Sequence, residues 1–105
     1  MINYNRHNID ETDIKKVVKI LRSNYLTQGP SVKVFEKKFS DYVKSKFSIS
    51  FNSCTSALHS AVAILNLNKN DYVWTTPNSF VASSNCVLFN GNKLDFVDID
   101  SNTGS

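Results

Sequence analysis

Apolar residues recur at helical spacing in two stretches of the first 46 residues. The first stripe predicts a helix over residues 10–22 with Asp10 as its N-cap, and its buried positions are Ile14, Val17, Val18 and Leu21. The second predicts a helix that begins at Pro30, with an apolar side formed by Val32, Phe35, Phe39 and Tyr42 or Val43. We therefore expect residues 1–46 to form a helical arm.

From residue 47 onward the pattern alternates between strands and helices. Strands are predicted at 47–51, 72–75 and 94–99, and helices from about Thr55 to Leu65 and from Phe80 to Phe89. Asn78 or Ser79 would cap the second of these helices, and Gly91 would end it. Strands that alternate with helices over short connections are typical of a parallel sheet with right-handed crossovers. The predicted fold class is α/β.

Ligands of open parallel sheets bind beyond the carboxyl ends of the strands. Three segments would meet at that edge, namely residues 52–56, residues 75–80 and the tail after Asp98. The first places Ser53, Thr55 and Ser56 at a helix start, where unpaired N–H groups and the helix dipole favour an anion. An ordinary N-cap is the structural alternative, and the stretch taken alone favours it. Phe80 would add an aromatic face, with a place in the core as its alternative.

Composition narrows the classes of function. The 105 residues suffice for one small domain, and 41% hydrophobic with 20% charged residues are globular values. A net charge of +3 without a basic run argues against nucleic acid. With two widely spaced cysteines we expect no metal site, and with no signal peptide or membrane-length apolar run we expect a cytoplasmic location. Glycine-rich phosphate loops are absent, so a phosphate would need the Ser/Thr helix start.

Four motifs in register carry a resemblance to a known family. They are Thr27-Gln28-Gly29-Pro30 with Phe35-Glu36, Asn52-Ser53-Cys54-Thr55-Ser56-Ala57-Leu58, Thr76-Pro77-Asn78-Ser79-Phe80-Val81-Ala82 and Phe96-Val97-Asp98-Ile99-Asp100. Over essentially its whole length the chain resembles the start of the DegT/DnrJ/EryC1/StrS sugar aminotransferases. The resemblance implies the N-terminal part of the large domain of a fold-type-I transferase that binds pyridoxal 5'-phosphate (PLP). On this basis residues 47–105 would be the start of its sheet, and the domain would be incomplete.

The resemblance also implies roles for individual residues. Thr55 and Ser56 would hold the cofactor phosphate, and Phe80 would stack on the pyridine ring. The sugar–cofactor adduct would lie against Tyr4, Asn24, Tyr25, Leu26, Thr27 and Cys54. The lysine that binds the cofactor and the acidic partner of its ring nitrogen lie well downstream in the family, so we expect no catalytic residue in this fragment and no activity from it alone.

Residues 73–86 are similar in particular to the pseudaminic acid branch of the family. That branch uses glutamate to aminate C4 of a UDP-linked 4-keto-6-deoxy-N-acetylhexosamine, and its members pair as dimers. The full-length protein would then be a homodimer whose partners are glutamate and a UDP-linked keto or amino sugar, without nucleic acid or membrane. Three alternatives stay open: another nucleotide-sugar aminotransferase, a PLP-dependent sugar dehydratase, and a non-catalytic remnant or interaction module.

Overall fold

A computed structural model describes residues 5–104. It contains four helices and two strands in the order α1 (Glu11–Leu21), α2 (Pro30–Val43), α3 (Cys54–Ala63), β1 (Tyr72–Thr75), α4 (Ala82–Phe89) and β2 (Lys93–Phe96). The chain forms two compact units, Met1–Ile49 and Ser50–Ser105. The first is helical and the second is α/β.

Helix α1 begins with the N-cap expected from the sequence. The Asp10 carboxylate accepts hydrogen bonds from the N–H groups of Thr12 at 2.8 Å and Asp13 at 3.0 Å. The Asp13 carboxylate accepts in return from the Asp10 N–H at 3.5 Å, which completes a capping box. These bonds satisfy donors that the helix cannot pair internally, and they fix its first turn.

The apolar stripe of α1 is not buried, which contradicts the prediction. The exposed fractions of Ile14, Val17, Val18 and Leu21 lie between 36% and 63%, and no residue of α1 is buried. The stripe has the correct helical spacing, but within residues 5–49 no element packs closely over it. Burial depends on a partner surface that helical periodicity does not specify.

Helix α2 begins at Pro30 as predicted, with Gly29 as an N-cap that makes no side-chain bond. It ends at Val43, where Lys44 adopts a left-handed conformation with φ 56°. Its predicted apolar side is also largely exposed, although the rings of Phe35 and Phe39 lie 6.1 Å apart. The buried residue of α2 is Ser40 instead, whose hydroxyl donates to the carbonyl of Lys37 at 2.9 Å.

The strand predicted at residues 47–51 does not form. The segment has no strand assignment, and β1 and β2 make the one sheet found among the described residues. The alternation of apolar residues is typical of a strand, but a strand also needs a neighbouring backbone to complete its ladder, so the prediction is wrong for the described chain. Nothing in residues 5–104 supplies that neighbour.

The second unit is built around a parallel pair of strands. Tyr72 of β1 lies opposite Lys93 of β2, and the register continues to Thr75 opposite Phe96. Helix α4 connects the two strands, and it supplies the buried core of Ala82, Cys86 and Val87. Strand β1 has the predicted bounds, whereas β2 ends three residues earlier than expected, because its partner β1 ends at Thr75, opposite Phe96.

Helix α4 starts two residues later than predicted, and its cap differs. Its N-cap is Val81, which makes no side-chain bond, rather than Asn78 or Ser79. Those two residues belong to the preceding turn, where the N–H of Asn78 donates to the Thr76 hydroxyl at 3.3 Å and that of Ser79 to the carbonyl of Pro77 at 2.9 Å. Gly91 follows the helix with φ +72°, as a helix stop requires.

Candidate functional site

The start of α3 carries a cluster of hydroxyls around its N-cap, Ser53. The Ser53 Oγ accepts the backbone N–H of Ser56 at 3.1 Å, and it lies 2.9 Å from the Ser56 Oγ. On its other side it donates to the Asn52 Oδ1 at a long 3.5 Å. Ser53 is therefore the N-cap of α3, as the structural alternative predicts.

Two backbone donors and one hydroxyl remain available at this helix start. Among the described residues, the N–H groups of Cys54 and Thr55 have no acceptor, and the Thr55 hydroxyl makes no hydrogen bond. Thr55 is exposed and Ser56 is half-buried. The first turn of α3 contains no acidic residue. A donor set with an unopposed helix dipole suits a small anion.

Side-chain hydrogen bonds from the segment that follows α4 indicate which end of the second unit this helix start faces. The Asn90 side chain, just after α4, donates to the carbonyl of His59 at 3.3 Å, and the His59 and Phe89 rings lie 5.6 Å apart. The Asn92 side chain likewise reaches the carbonyl of Asn68 at 3.0 Å. The segments that follow α3 and α4 thus meet at the amino ends of the strands. We infer that both helices begin toward the opposite edge, beyond the carboxyl ends.

Phe80 lies in the connection between β1 and α4, at that carboxyl edge. Its ring is 75% exposed, so it is not a core residue of the described chain. It lines a cavity of about 210 Å³, together with Thr76, Pro77, Ser79, Val81, Ser83, Ser84 and Phe96. Thr55 and Ser56 do not line this cavity. The structure therefore brings an aromatic face and several hydroxyls together, separately from the start of α3.

Two residues of this lining, Ser83 and Phe96, are not among the site residues predicted from the sequence. Ser83 lies one helical turn after Ser79, and their hydroxyl oxygens are 3.0 Å apart. The signal that could have found the pair is the four-residue spacing of the two serines, which places them on one face of a turn that continues into a helix. The sequence places Phe96 in a strand, but it gives no indication that this residue ends the strand and lines a cavity.

The remaining predicted site residues belong to the other unit, except for one thiol. Asn24, Tyr25, Leu26 and Thr27 form the α1–α2 connection, in which the Ser23 hydroxyl donates to the carbonyl of Tyr25 at 3.1 Å. Tyr25 and Leu26 are more than 60% exposed. Cys54 is an exposed free thiol at the start of α3. Tyr4 lies outside the described residues.

Within residues 5–104, no helix is long and apolar enough to cross a membrane. In the same part of the chain, no group of three or more His, Cys, Asp or Glu side chains is arranged to hold a metal ion.

Comparison with known proteins defines the class of protein to which this fold and site belong. A protein of Streptococcus pneumoniae described as a sugar aminotransferase, solved in its PLP form, superposes with a TM-score of 0.89 at 30% identity over 97% of this chain. The GDP-4-keto-6-deoxy-D-mannose-3-dehydratase of E. coli, with bound hydrated PLP, gives 0.90 at 28% identity over 99% of the chain. The fold is that of the PLP-dependent aminotransferases, and the predicted α/β class is confirmed.

The family follows from the sequence match. Residues 7–105 match the DegT/DnrJ/EryC1/StrS aminotransferase family, and the chain belongs to it. The UDP-4-amino-4,6-dideoxy-N-acetyl-beta-L-altrosamine transaminase of Campylobacter jejuni is 41% identical over 99 residues, which are 94% of this chain and 26% of that protein. The S. pneumoniae and E. coli chains are covered to 26% and 29%. This chain thus spans about a quarter of the length of the relatives it matches.

The cofactor expected from the sequence is the one found in these structural neighbours. The donor set at the start of α3 fits its phosphate, because it offers N–H and O–H groups without a competing carboxylate. The exposed ring of Phe80 offers a flat face of the kind that stacks on a pyridine.

Proposed function

We propose that the natural protein that contains these residues is a PLP-dependent aminotransferase. It transfers an amino group from glutamate to C4 of a UDP-linked 4-keto-6-deoxy-N-acetylhexosamine, in the biosynthesis of pseudaminic acid or a related surface glycan. Support for this substrate class comes from the identity of 41% with the C. jejuni transaminase over nearly the whole chain. The cysteines at 54 and 86 are free thiols, which suits the reducing cytoplasm that we propose as its location.

The observation that carries the proposal is the donor set at the start of α3. The N–H groups of Cys54 and Thr55 and the Thr55 hydroxyl are unpaired among the described residues, and Ser56 adds a second hydroxyl. We propose that these groups bind the cofactor phosphate. Hydrogen bonds to a charged acceptor are about twice as strong as those between neutral groups, so a few such donors suffice to hold the phosphate.

The other proposed roles concern orientation. The exposed ring of Phe80 would stack on one face of the cofactor ring and so orient it. The segment Asn24–Thr27, with Cys54 and Tyr4, would contact the sugar, as the family resemblance implies. When bound, PLP supplies the electron sink that lets the amino group pass between donor and acceptor. The residues of this chain bind and orient it, whereas the lysine and the acidic ring partner are expected elsewhere in the protein.

A sugar dehydratase is the second candidate. It is favoured by the TM-score of 0.90 with the E. coli dehydratase over 99% of this chain. Both activities would use the same phosphate and ring sites, and they would differ in the residue that moves the proton. In the family this is a lysine for transamination and usually a histidine for dehydration. We propose that the complete protein is a homodimer in either case.

The phosphate site is tested by cofactor titration of the natural protein. The double variant Thr55→Ala/Ser56→Ala removes two hydroxyl donors to a charged group, each of which contributes about 1.5–3 kcal/mol. We expect the Kd for PLP, measured from the visible absorbance of the bound cofactor, to rise at least about a hundredfold. Ser60→Ala is the matched control, because Ser60 is a half-buried serine of the same helix with no side-chain hydrogen bond in the described chain. An unchanged Kd in the double variant would contradict the assignment.

The reaction is tested with glutamate and a UDP-linked 4-keto-6-deoxy-N-acetylhexosamine. An aminotransferase forms one 2-oxoglutarate for each amino sugar, and both products can be followed by mass spectrometry. Loss of a sugar hydroxyl without a stable C4 amine would identify the dehydratase. If the protein binds no PLP and converts neither glutamate nor the sugar, the result would favour the alternative of a non-catalytic remnant or interaction module.

A further inference from the structure

Ser53 occupies the centre of a short hydrogen-bonded chain at the start of α3. Its Oγ lies 2.9 Å from the Ser56 Oγ, accepts the Ser56 N–H at 3.1 Å and faces the Asn52 Oδ1 at 3.5 Å. The cap bond to the Ser56 N–H accounts for only one of these three contacts. The Ser53 hydroxyl has a single proton, so it can donate in only one of the other two contacts.

The proton of the short Oγ–Oγ contact can come from either serine. If Ser56 donates it, the Ser56 hydroxyl has no proton left for a ligand, and Ser53 is free to donate to Asn52. If Ser53 donates it, the Ser56 proton is free to point away from the helix start. A hydroxyl carries one proton, so these two arrangements exclude each other.

We propose that Ser53 is a positioning residue for the cofactor phosphate, because its hydroxyl donates to the Ser56 Oγ and thereby directs the Ser56 proton toward the anion. This inference rests on the proposed function, in which Ser56 binds that phosphate. An anion accepts hydrogen bonds, so it selects the arrangement in which Ser56 donates outward. The long contact of 3.5 Å to Asn52 is then given up for the 2.9 Å contact to Ser56.

If position 53 served only as a helix cap, it would not require a hydroxyl. Asparagine, aspartate and serine are about equally good N-caps, because each offers a side-chain oxygen to the N–H three residues on. Only a hydroxyl uses the same oxygen both to accept that N–H and to donate a proton to the neighbouring Oγ. The carbonyl oxygen of an asparagine at position 53 would accept the Ser56 proton instead, and so withhold it from the phosphate.

The test compares Ser53→Asn with Ser53→Thr in the natural protein. Three quantities are measured for each: the Kd for PLP, the Kd for pyridoxal, which lacks the phosphate, and the Tm of the protein without cofactor. We expect Ser53→Asn to bind PLP about tenfold more weakly, since one charge-assisted hydrogen bond is lost. Its pyridoxal Kd and its Tm should match those of the wild type. Ser53→Thr keeps the hydroxyl and should match the wild type in all three.

Other results would overturn the inference. An unchanged PLP Kd in Ser53→Asn would show that the Ser53 proton is not needed. An equal loss of PLP and pyridoxal binding would show a general distortion of the helix start, as would Ser53→Thr behaving like Ser53→Asn. These outcomes are separate from failure of the proposed function, in which the wild type binds no PLP or the Thr55→Ala/Ser56→Ala variant binds it normally.

Discussion

Gly29 illustrates how one residue constrains a proposed binding loop. It precedes α2 with an extended backbone of φ −76° and ψ 177°, which any residue can adopt. A Cβ at this position would nevertheless lie 2.6 Å from the Cβ of Tyr25, well inside van der Waals contact. The requirement for glycine is therefore steric, and it couples the entry of α2 to the loop that contains Tyr25.

We predict that Gly29→Ala destabilises the protein by about 1–3 kcal/mol, the usual cost of forced overpacking. The clash involves the Cβ of Tyr25, which cannot move without its backbone, so shortening the tyrosine to alanine would not relieve it. Tyr25→Gly would. Chemical unfolding of the two single variants and the double variant measures the coupling. Strictly additive losses would contradict a direct clash.

Single-residue predictions were most reliable where the cause is local. Asp10 and Ser53 were assigned to helix starts, Pro30 to the first turn of α2 and Gly91 to the end of α4, and each lies there. Capping and backbone conformation depend on neighbours three or four positions away, which the sequence displays directly. The cap predicted for α4 failed, because Asn78 and Ser79 are used by the turn that precedes it.

Helix α1 has a charged N-cap, the carboxylate of Asp10. Hydrogen bonds from the Asp13 and Thr12 N–H groups stabilise the ionised carboxylate and hold the pKa of Asp10 below its usual 3.8. A lowered folded-state pKa stabilises the helix at pH values above the unfolded-state pKa. That contribution is lost as the pH falls through the folded-state value.

We therefore predict that Asp10→Asn removes an acid-sensitive component of α1 stability. Asparagine is also a good N-cap but does not titrate in acid, so the variant should show a smaller loss of protection as the pH falls below the usual carboxyl pKa of 3.8. Amide hydrogen exchange of α1, expressed as a ratio to that of the variant at each pH, isolates this one group. The same acid dependence in wild type and variant would show that the Asp10 carboxylate contributes nothing.

Element boundaries were recovered where a partner lies nearby, and lost where none does. Strand β1 matches its predicted bounds, since β2 follows after one helix and pairs with it in register. The segment 47–51 has a comparable alternation of apolar residues but no neighbouring strand in the described chain. The local pattern is thus equally good in both, and pairing alone distinguishes them.

At the scale of the whole molecule, most large apolar side chains of residues 5–104 are exposed. In that part of the chain the buried hydrophobic residues are Ala82, Cys86 and Val87, whereas Phe47, Ile49, Trp74 and Phe80 are all more than 60% exposed. Exposed apolar surface of this extent is typical of protein or membrane interaction sites, of ligand grooves and of surfaces that aggregate. Both strands of the described sheet are also edges, whose unpaired groups can pair with another chain.

We predict that a preparation of these 105 residues alone self-associates. Size-exclusion chromatography with light scattering should give species well above 11.8 kDa, and the natural gene product, run beside it, a defined oligomer. The physical reason is the exposed apolar surface, at about 25 cal/mol for each Å² removed from water. A stable monomer of 11.8 kDa would favour the interaction-module alternative instead.

The sequence by itself determined the starts of α1, α2 and α3, the α/β class, the family and the segment that carries the unpaired N–H and O–H donors. Each of these depends on residues close together in the chain or on motifs in a fixed order. Tertiary structure decided which stripes are buried, that residues 47–51 find no strand partner, and that Phe80 shares a cavity with Ser83 and Phe96. These features depend on which surfaces meet in space, and the spacing of residues along a chain does not specify that.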